Sequence, residues 1–127
     1  FALIKGIGTD ILEIDRLNKS VANSNFMFKY YTDNEIEYIN KKANKAETAC
    51  AIFCAKEAVS KAIGTGFNGF MPKDIEILHD INGKPEVHLS EKAMMFAKNA
   101  GIEIIHVSLT HCRQYAAAFA AAEGDVN

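Results

Sequence analysis

The feature that most constrains this fold is the stretch Glu47–Ile63, which contains neither glycine nor proline and is followed directly by Gly64. Glycine readily adopts the left-handed backbone conformation that ends many α-helices. The stretch is therefore predicted to form one uninterrupted helix that ends at Ile63. It is the longest helix that the sequence predicts.

Before this helix, the sequence predicts one strand and three shorter helical segments. Leu3–Gly8 indicates a buried strand in which glycines permit close packing, and this strand places Asp10 at its end. Thr32 and Glu35 have the spacing of a capping box, in which each side chain accepts a hydrogen bond from the other residue's backbone amide. The predicted helical segments cover residues 15–22, 26–31 and 32–42.

After the long helix, strands dominate the prediction. Asn82-Gly83 lies between two apolar runs and is a strong signal for a type I′ turn, so a β-hairpin is predicted there. Ser90 is a suitable N-cap for a helix that ends before Gly101. The predicted strands are residues 75–78, 86–89, 102–109 and 115–122. We therefore expect a single domain over residues 1–127 of the α+β class, with a mainly antiparallel sheet, one long helix and several short helices.

Charge and cysteine content narrow the possible functions. The chain has 14 Lys and Arg residues against 16 Asp and Glu, a net charge of -2, whereas binding along nucleic acid normally needs a clear basic excess. No apolar stretch approaches the roughly 20 residues that a membrane-spanning helix needs. Three cysteines, an odd number, argue against a disulfide framework and favour a reducing compartment. We expect a cytoplasmic protein that binds neither nucleic acid nor membrane.

Glu57 and Lys61 are the residues of the long helix most suggestive of chemistry. They are four apart and so share one helix face, although ordinary surface ion pairs have the same spacing. Asp10 offers a second carboxylate, and proteins commonly hold Mg²⁺ with one or two carboxylates together with substrate phosphates. A lysine one turn away can then stabilise a departing phosphate. Together the three residues indicate a Mg²⁺-dependent reaction at a phosphate group.

Several motifs resemble those of the holo-acyl carrier protein synthases, a family of 4′-phosphopantetheinyl transferases. The first is Gly6–Ile14 followed by Arg16, and the second is the block Phe53–Gly66, which contains Lys56-Glu57-Ala58. Three further similar blocks follow in the family's order: Asn82–Pro85, Ser108–His111 and Tyr115–Ala118. The resemblance covers essentially the whole chain and implies the 4′-phosphopantetheinyl transferase fold.

The resemblance also implies roles for the matching residues. Asp10 and Glu57 are similar to the family's Mg²⁺ ligands, and Glu57 and Lys61 match its catalytic positions. Arg16 resembles the residue that docks acidic carrier proteins, for which a guanidinium group is well suited. The coenzyme A contacts implied in this way are Lys61, Gly64, Asn82, Gly83, Lys84, Pro85, Thr110 and His111. Ile52 and Asn25 depart from the pattern, because relatives often carry basic residues at these positions.

The activity implied by the resemblance is transfer of 4′-phosphopantetheine from coenzyme A to a serine of apo-acyl carrier protein. It would require Mg²⁺, release adenosine 3′,5′-bisphosphate and support fatty acid biosynthesis. In the family the coenzyme loop usually comes from a neighbouring subunit, which implies a homotrimer with intersubunit active sites. Two other functions stay open: a catalytically silent module that binds coenzyme A or a carrier protein, and a metal-dependent phosphohydrolase.

Overall fold

The computed structural model describes residues 1–126 and confirms the α+β class with antiparallel sheets. The strands are Ala2–Glu13 (β1), Ile75–His79 (β2), Pro85–Leu89 (β3), Ile104–His111 (β4) and Tyr115–Asp125 (β5). The α-helices are Ser24–Tyr30 (α1), Asp33–Asn40 (α2), Lys45–Ile63 (α3) and Glu91–Asn99 (α4). Short 3₁₀ turns cover Ile14–Leu17, Ser20–Ala22 and Pro72–Asp74. Within residues 1–126, no helix has the length and apolar character that crossing a membrane requires.

The strands form two antiparallel sheets. One has three strands in the order β1-β5-β4, and the other is the β2–β3 hairpin. Helix α3 packs on one face of the three-stranded sheet, and most of its residues are buried. It begins at the N-cap Asn44 and ends at Gly64, whose φ of 98° is left-handed, as predicted.

Glycines allow β1 to lie directly against α3. A Cβ atom added to Gly6 would lie 1.9 Å from the carbonyl oxygen of Ala62, and one added to Gly8 would lie 2.0 Å from that of Ala58. No side chain fits at these distances, so the predicted close packing is confirmed. The alanines of β5 that face the helix are also small and buried: Ala116, Ala118, Ala120 and Ala122.

The segment after β1 differs from the prediction. The helix expected over residues 15–22 is absent, and two 3₁₀ turns stand in its place. Only Ile14 and Leu17 are fully buried there, and their spacing of three residues suits the three residues per turn of a 3₁₀ helix. Strand β1 also continues to Glu13, so Asp10 lies inside the strand, paired with Ala118, and not at its end.

The β2–β3 hairpin is confirmed, but its predicted type I′ turn is wrong. That turn needs positive φ at two successive residues, whereas in residues 1–126 only glycines have positive φ. Gly83 has a φ of 82°, and the side chain of Asp80 accepts hydrogen bonds from the amides of Asn82 and Lys84 at 2.8 and 2.9 Å. The Asp80 carboxylate therefore stabilises a longer loop with one left-handed residue.

Candidate functional site

The structure brings Asp10 and Lys61 together where β1 crosses the last turns of α3. The Nζ of Lys61 donates to the carbonyl oxygen of Thr9 at 2.8 Å and lies 3.5 Å from Oδ1 of Asp10. The two side chains stay partly exposed, at 51% for Lys61 and 21% for Asp10. A pair this open contributes little to stability, on the order of 1 kcal/mol at most. It leaves a carboxylate and an ammonium group accessible side by side.

Glu57 lies one helical turn before Lys61 and adds a second carboxylate. Partial burial is the main cause that raises the pKa of Glu57, the negative charge of Asp10 raises it further, and Lys61 opposes both effects. Glu57 and Asp10 are therefore close enough for their charges to repel each other. A bound divalent cation would relieve this repulsion.

The donor set of this site fits Mg²⁺. Among residues 1–126 there is no cluster of three or more His, Cys, Asp or Glu side chains arranged to hold a metal ion. Two carboxylates suffice for Mg²⁺, which prefers oxygen ligands and takes the others from water and substrate phosphates. Asp10 and Glu57 are the residues that would hold it.

A cleft of about 450 Å³ opens beside Asp10 and Lys61. Ser108 and Thr110 of β4 and residues 117–119 of β5 also line it. Thr110, one of the predicted coenzyme contacts, therefore shares a cleft with the two charged groups. The ammonium group of Lys61 at this opening suits an anionic, phosphate-bearing ligand.

The other predicted coenzyme contacts lie elsewhere in the chain. Gly83 and His111 line a separate cavity of about 270 Å³, and Nδ1 of His111 lies 3.4 Å from Oε2 of Glu47. Lys84 and Pro85 line a groove between β3 and β4. Gly64 caps α3, and Asn82 lies in the hairpin loop. Within one chain, the hairpin residues and the pair of carboxylates are not gathered into one pocket.

The cavity of Gly83 and His111 contains residues to which the sequence assigned no role. The ring of His79 stacks on Tyr38 with centroids 4.1 Å apart, and Lys42 covers the Tyr38 ring at 4.6 Å. Nδ1 of His79 is buried and has no hydrogen-bond partner in the described part of the chain. Burial, followed by the charge of Lys42, lowers the pKa of His79. No sequence pattern marks these residues, because only the fold brings α2, β2 and the hairpin loop together.

Arg16 lies on the 3₁₀ turn Ile14–Leu17, immediately after β1. Its side chain is 71% exposed, and its Nε is 3.9 Å from Oε1 of Glu13. So loose a contact leaves the guanidinium group free to bind a partner's carboxylate.

Comparison with known proteins identifies the family. A model described as the 4′-phosphopantetheinyl transferase superfamily matches residues 6–120. A protein of Fusobacterium nucleatum subsp. nucleatum, named holo-[acyl-carrier-protein] synthase, is 47% identical over 119 residues, which cover 93% of this chain and 98% of that protein. The chain belongs to the 4′-phosphopantetheinyl transferase superfamily, as its motifs indicated.

Solved structures place the chain more narrowly within that superfamily. The holo-[acyl-carrier-protein] synthase of Neisseria meningitidis matches with a TM-score of 0.86 and 29% identity, over 94% of this chain and 98% of that one. The Bacillus anthracis str. Ames enzyme, solved in complex with CoA (3′,5′-ADP), matches with a TM-score of 0.79 and 33% identity, over 96% and 98%. The expectation of a phosphopantetheinyl transferase of the holo-[acyl-carrier-protein] synthase type is confirmed.

Proposed function

We propose that this chain transfers 4′-phosphopantetheine from coenzyme A to a serine of apo-acyl carrier protein in a Mg²⁺-dependent reaction that releases adenosine 3′,5′-bisphosphate. The observation that carries the proposal is the meeting of Asp10 and Lys61 beside Glu57, although Asp10 and Lys61 are 51 residues apart. The names of the relatives and the coenzyme bound to the B. anthracis enzyme support the two substrates.

Asp10 and Glu57 are the proposed Mg²⁺ ligands. If these two carboxylates held Mg²⁺, the ion would supply charge neutralisation for the diphosphate of the coenzyme. Partial burial raises the pKa of Glu57, and the charge of Asp10 raises it further. A bound cation would relieve the repulsion between the two carboxylates.

In the proposed transfer, Glu57 handles the proton of the attacking serine and Lys61 stabilises the charge of the leaving group. Glu57, directly or through a water, accepts the proton of the carrier serine as its oxygen attacks the β-phosphorus. The bond from phosphorus to the oxygen of adenosine bisphosphate breaks, and the departing phosphate takes that electron pair. Lys61, held by Thr9 at 2.8 Å, stabilises the departing charge.

We propose that the coenzyme contacts come from two subunits of a homotrimer. Residues Asn82–Pro85 and His111 lie apart from the carboxylates within one chain, which supports a site completed by a neighbour. Large apolar residues are exposed on the sheet face opposite α3. The exposed fraction is 62% for Ile7, 64% for Ile11 and 45% for Phe119. An apolar sheet face this open is typical of a surface that subunit association covers.

The acidic carrier is proposed to dock at Arg16, which is exposed and loosely paired. This step would support fatty acid biosynthesis. We place the reaction in the cytoplasm, where the three unpaired cysteines would stay reduced.

One incubation separates this function from the two alternatives. The protein is mixed with coenzyme A, Mg²⁺ and an apo-acyl carrier protein, and both carrier and small molecules are analysed by mass spectrometry. A carrier that gains the mass of one phosphopantetheine supports the transferase. Free phosphopantetheine with an unmodified carrier would indicate a phosphohydrolase, and unchanged reactants would indicate a binding module.

A further inference from the structure

Lys56 and Glu35 form a buried ion pair immediately behind the candidate site. Lys56 precedes Glu57 on α3 but points into the protein interior, where its Nζ lies 2.7 Å from Oε1 of Glu35. The exposed fraction of the Lys56 side chain is 1% and that of Glu35 is 0%. Neither residue is among the proposed metal, coenzyme or carrier contacts.

The pair connects three separate segments through hydrogen bonds. Glu35, in the first turn of α2, accepts from the amide of Ile77 on β2 at 2.7 Å. Lys56 donates to the carbonyl oxygens of Ile75, at 2.6 Å, and Pro72, at 3.0 Å. The pair therefore binds the start of β2 and the turn before it to α3.

Stability alone does not require such a pair. Desolvation of two buried charges largely cancels their attraction, and replacement of a buried pair by apolar residues of similar volume is often neutral or stabilising. Burial accordingly raises the pKa of Glu35 and lowers that of Lys56. Hydrogen bonds are directional, whereas apolar packing is not. Each bond of the pair therefore fixes the position of one backbone atom of β2 or of the turn before it.

We propose that Glu35 and Lys56 are positioning residues for coenzyme A: they hold the β2–β3 hairpin and its loop Asn82–Pro85 in a fixed place on the subunit that presents this loop to the coenzyme. The inference rests on the proposed function, because it takes that loop as part of the coenzyme site. It assigns the pair no contact with the substrate. Coenzyme affinity should depend on the pair more strongly than the chemical step does.

The test is the double variant Glu35→Leu with Lys56→Met, which fills the same space without charge. We expect it to stay folded at the assay temperature with a lower melting temperature, because the buried amide of Ile77 loses its acceptor. The Kd for coenzyme A, measured by calorimetry with Mg²⁺, should rise about tenfold, and amide hydrogen exchange in residues 75–89 should become faster. The matched control is Glu37→Leu with Lys41→Met, which removes an exposed acid–lysine pair 3.1 Å apart at the C-terminal end of α2 and should change neither quantity.

Unchanged coenzyme affinity together with unchanged hairpin exchange in the folded double variant would overturn the inference. If the double variant does not fold, Glu35→Asp provides the same readouts, because its shorter side chain cannot reach both Lys56 and the amide of Ile77. The proposed function fails separately, if the wild type does not modify the carrier. Calorimetry and hydrogen exchange do not need turnover, so they test the positioning role in either case.

Discussion

At the residue scale, the proposed chemistry depends on three charged side chains. Lys61 is held against β1 by the carbonyl oxygen of Thr9, and it faces Asp10 across 3.5 Å. Glu57 shares the helix face of Lys61 and is affected by the charge of Asp10. An ammonium group held in this way is placed before substrate arrives and need not reorganise during the reaction.

Replacement of Lys61 by Ala should therefore lower kcat more than it weakens coenzyme binding. The loss of one preorganised charged donor typically costs about 10² to 10³ in kcat, whereas the KM for coenzyme A should change only a few-fold. Steady-state kinetics of carrier modification give both values. Lys92→Ala, on the exposed side of α4, is the control and should behave like the wild type. A large rise in KM with unchanged kcat would make Lys61 a binding residue only.

The raised pKa of Glu57 predicts how its charge affects stability. Without metal, the folded state disfavours the charged carboxylate, so the cost is present above the folded pKa and disappears as pH falls toward the unfolded value of 4.5. Glu57→Gln should raise the free energy of unfolding at pH 7 and should not raise it at pH 4. Denaturant unfolding at both pH values measures this difference.

Saturating Mg²⁺ is the control for the Glu57 experiment. A bound cation removes the repulsion with Asp10 and stabilises only a protein that binds it. The advantage of Glu57→Gln at pH 7 should then shrink or reverse. A variant that is less stable than the wild type at pH 7 without metal would contradict the account of this carboxylate.

Sequence reasoning identified the exposed charges of the site better than the buried one. The family block drew attention to Glu57 and Lys61, and the structure places both beside Asp10. Lys56, next to Glu57, received no role of its own, because its partner Glu35 is distant in sequence and belongs to a predicted capping box. That box is confirmed, but Glu35 also accepts hydrogen bonds from Lys56 and Ile77. Only the tertiary structure shows that Glu35 also pairs with Lys56 and Ile77.

At the scale of elements, the contact between β1 and α3 brings the carboxylates together. Asp10 is carried by the strand and Glu57 by the helix, and Gly6 and Gly8 set how closely the two backbones approach. Any side chain at these glycines has to push strand and helix apart. Such a shift would reach Asp10, two residues after Gly8.

Gly8→Ala should therefore destabilise the protein and impair the site. The added Cβ would lie 2.0 Å from the carbonyl oxygen of Ala58, which is backbone and cannot rotate away. We expect a loss of about 1–3 kcal/mol in the free energy of unfolding, as for other overpacked interiors. The fraction that stays folded should need more Mg²⁺ for half-maximal activity.

Lys92→Ala, measured in parallel by denaturant unfolding, is the control for Gly8→Ala and should change stability by less than about 0.5 kcal/mol. Wild-type stability of Gly8→Ala would contradict this packing.

The elements themselves were predictable to different degrees. Helix α3 was predicted well because an uninterrupted stretch before a glycine leaves few alternatives. The prediction of a helix over residues 15–22 was wrong, because the apolar spacing of this segment also suits the two short 3₁₀ turns that form. The hairpin at Asn82-Gly83 was right in position but wrong in turn type, because the side chain of Asp80 stabilises a longer loop.

At the scale of the whole molecule, we propose that the site is divided between subunits. A trimer would bring the loop and His111 of one chain to the carboxylates of the next. Sequence alone cannot show this division, because the motifs are consecutive in one chain and carry no information about which copy uses them. The separate cavities within a single chain supply the physical argument.

Subunit complementation tests the division directly. Asp10→Ala chains and His111→Ala chains are each expected to be impaired alone. After equal mixing and subunit exchange, about a quarter of the interfaces should combine an intact Asp10 with an intact His111 from the neighbour, as cyclic symmetry requires. Activity should rise on mixing to a corresponding fraction of the wild type. A mixture no more active than its components, with exchange shown by native mass spectrometry, would indicate that each chain builds its own site.

The most direct measurement of the central claim is the rate of carrier modification as a function of Mg²⁺ concentration, in the wild type and in Asp10→Asn. If Asp10 and Glu57 hold one cation at the coenzyme's diphosphate, the wild-type rate saturates with Mg²⁺ and falls to background in chelator. The variant should need at least about tenfold more Mg²⁺ or not reach measurable turnover, because it loses a charged ligand. A wild-type rate that persists in chelator, or a variant with the wild-type Mg²⁺ dependence, would contradict the account.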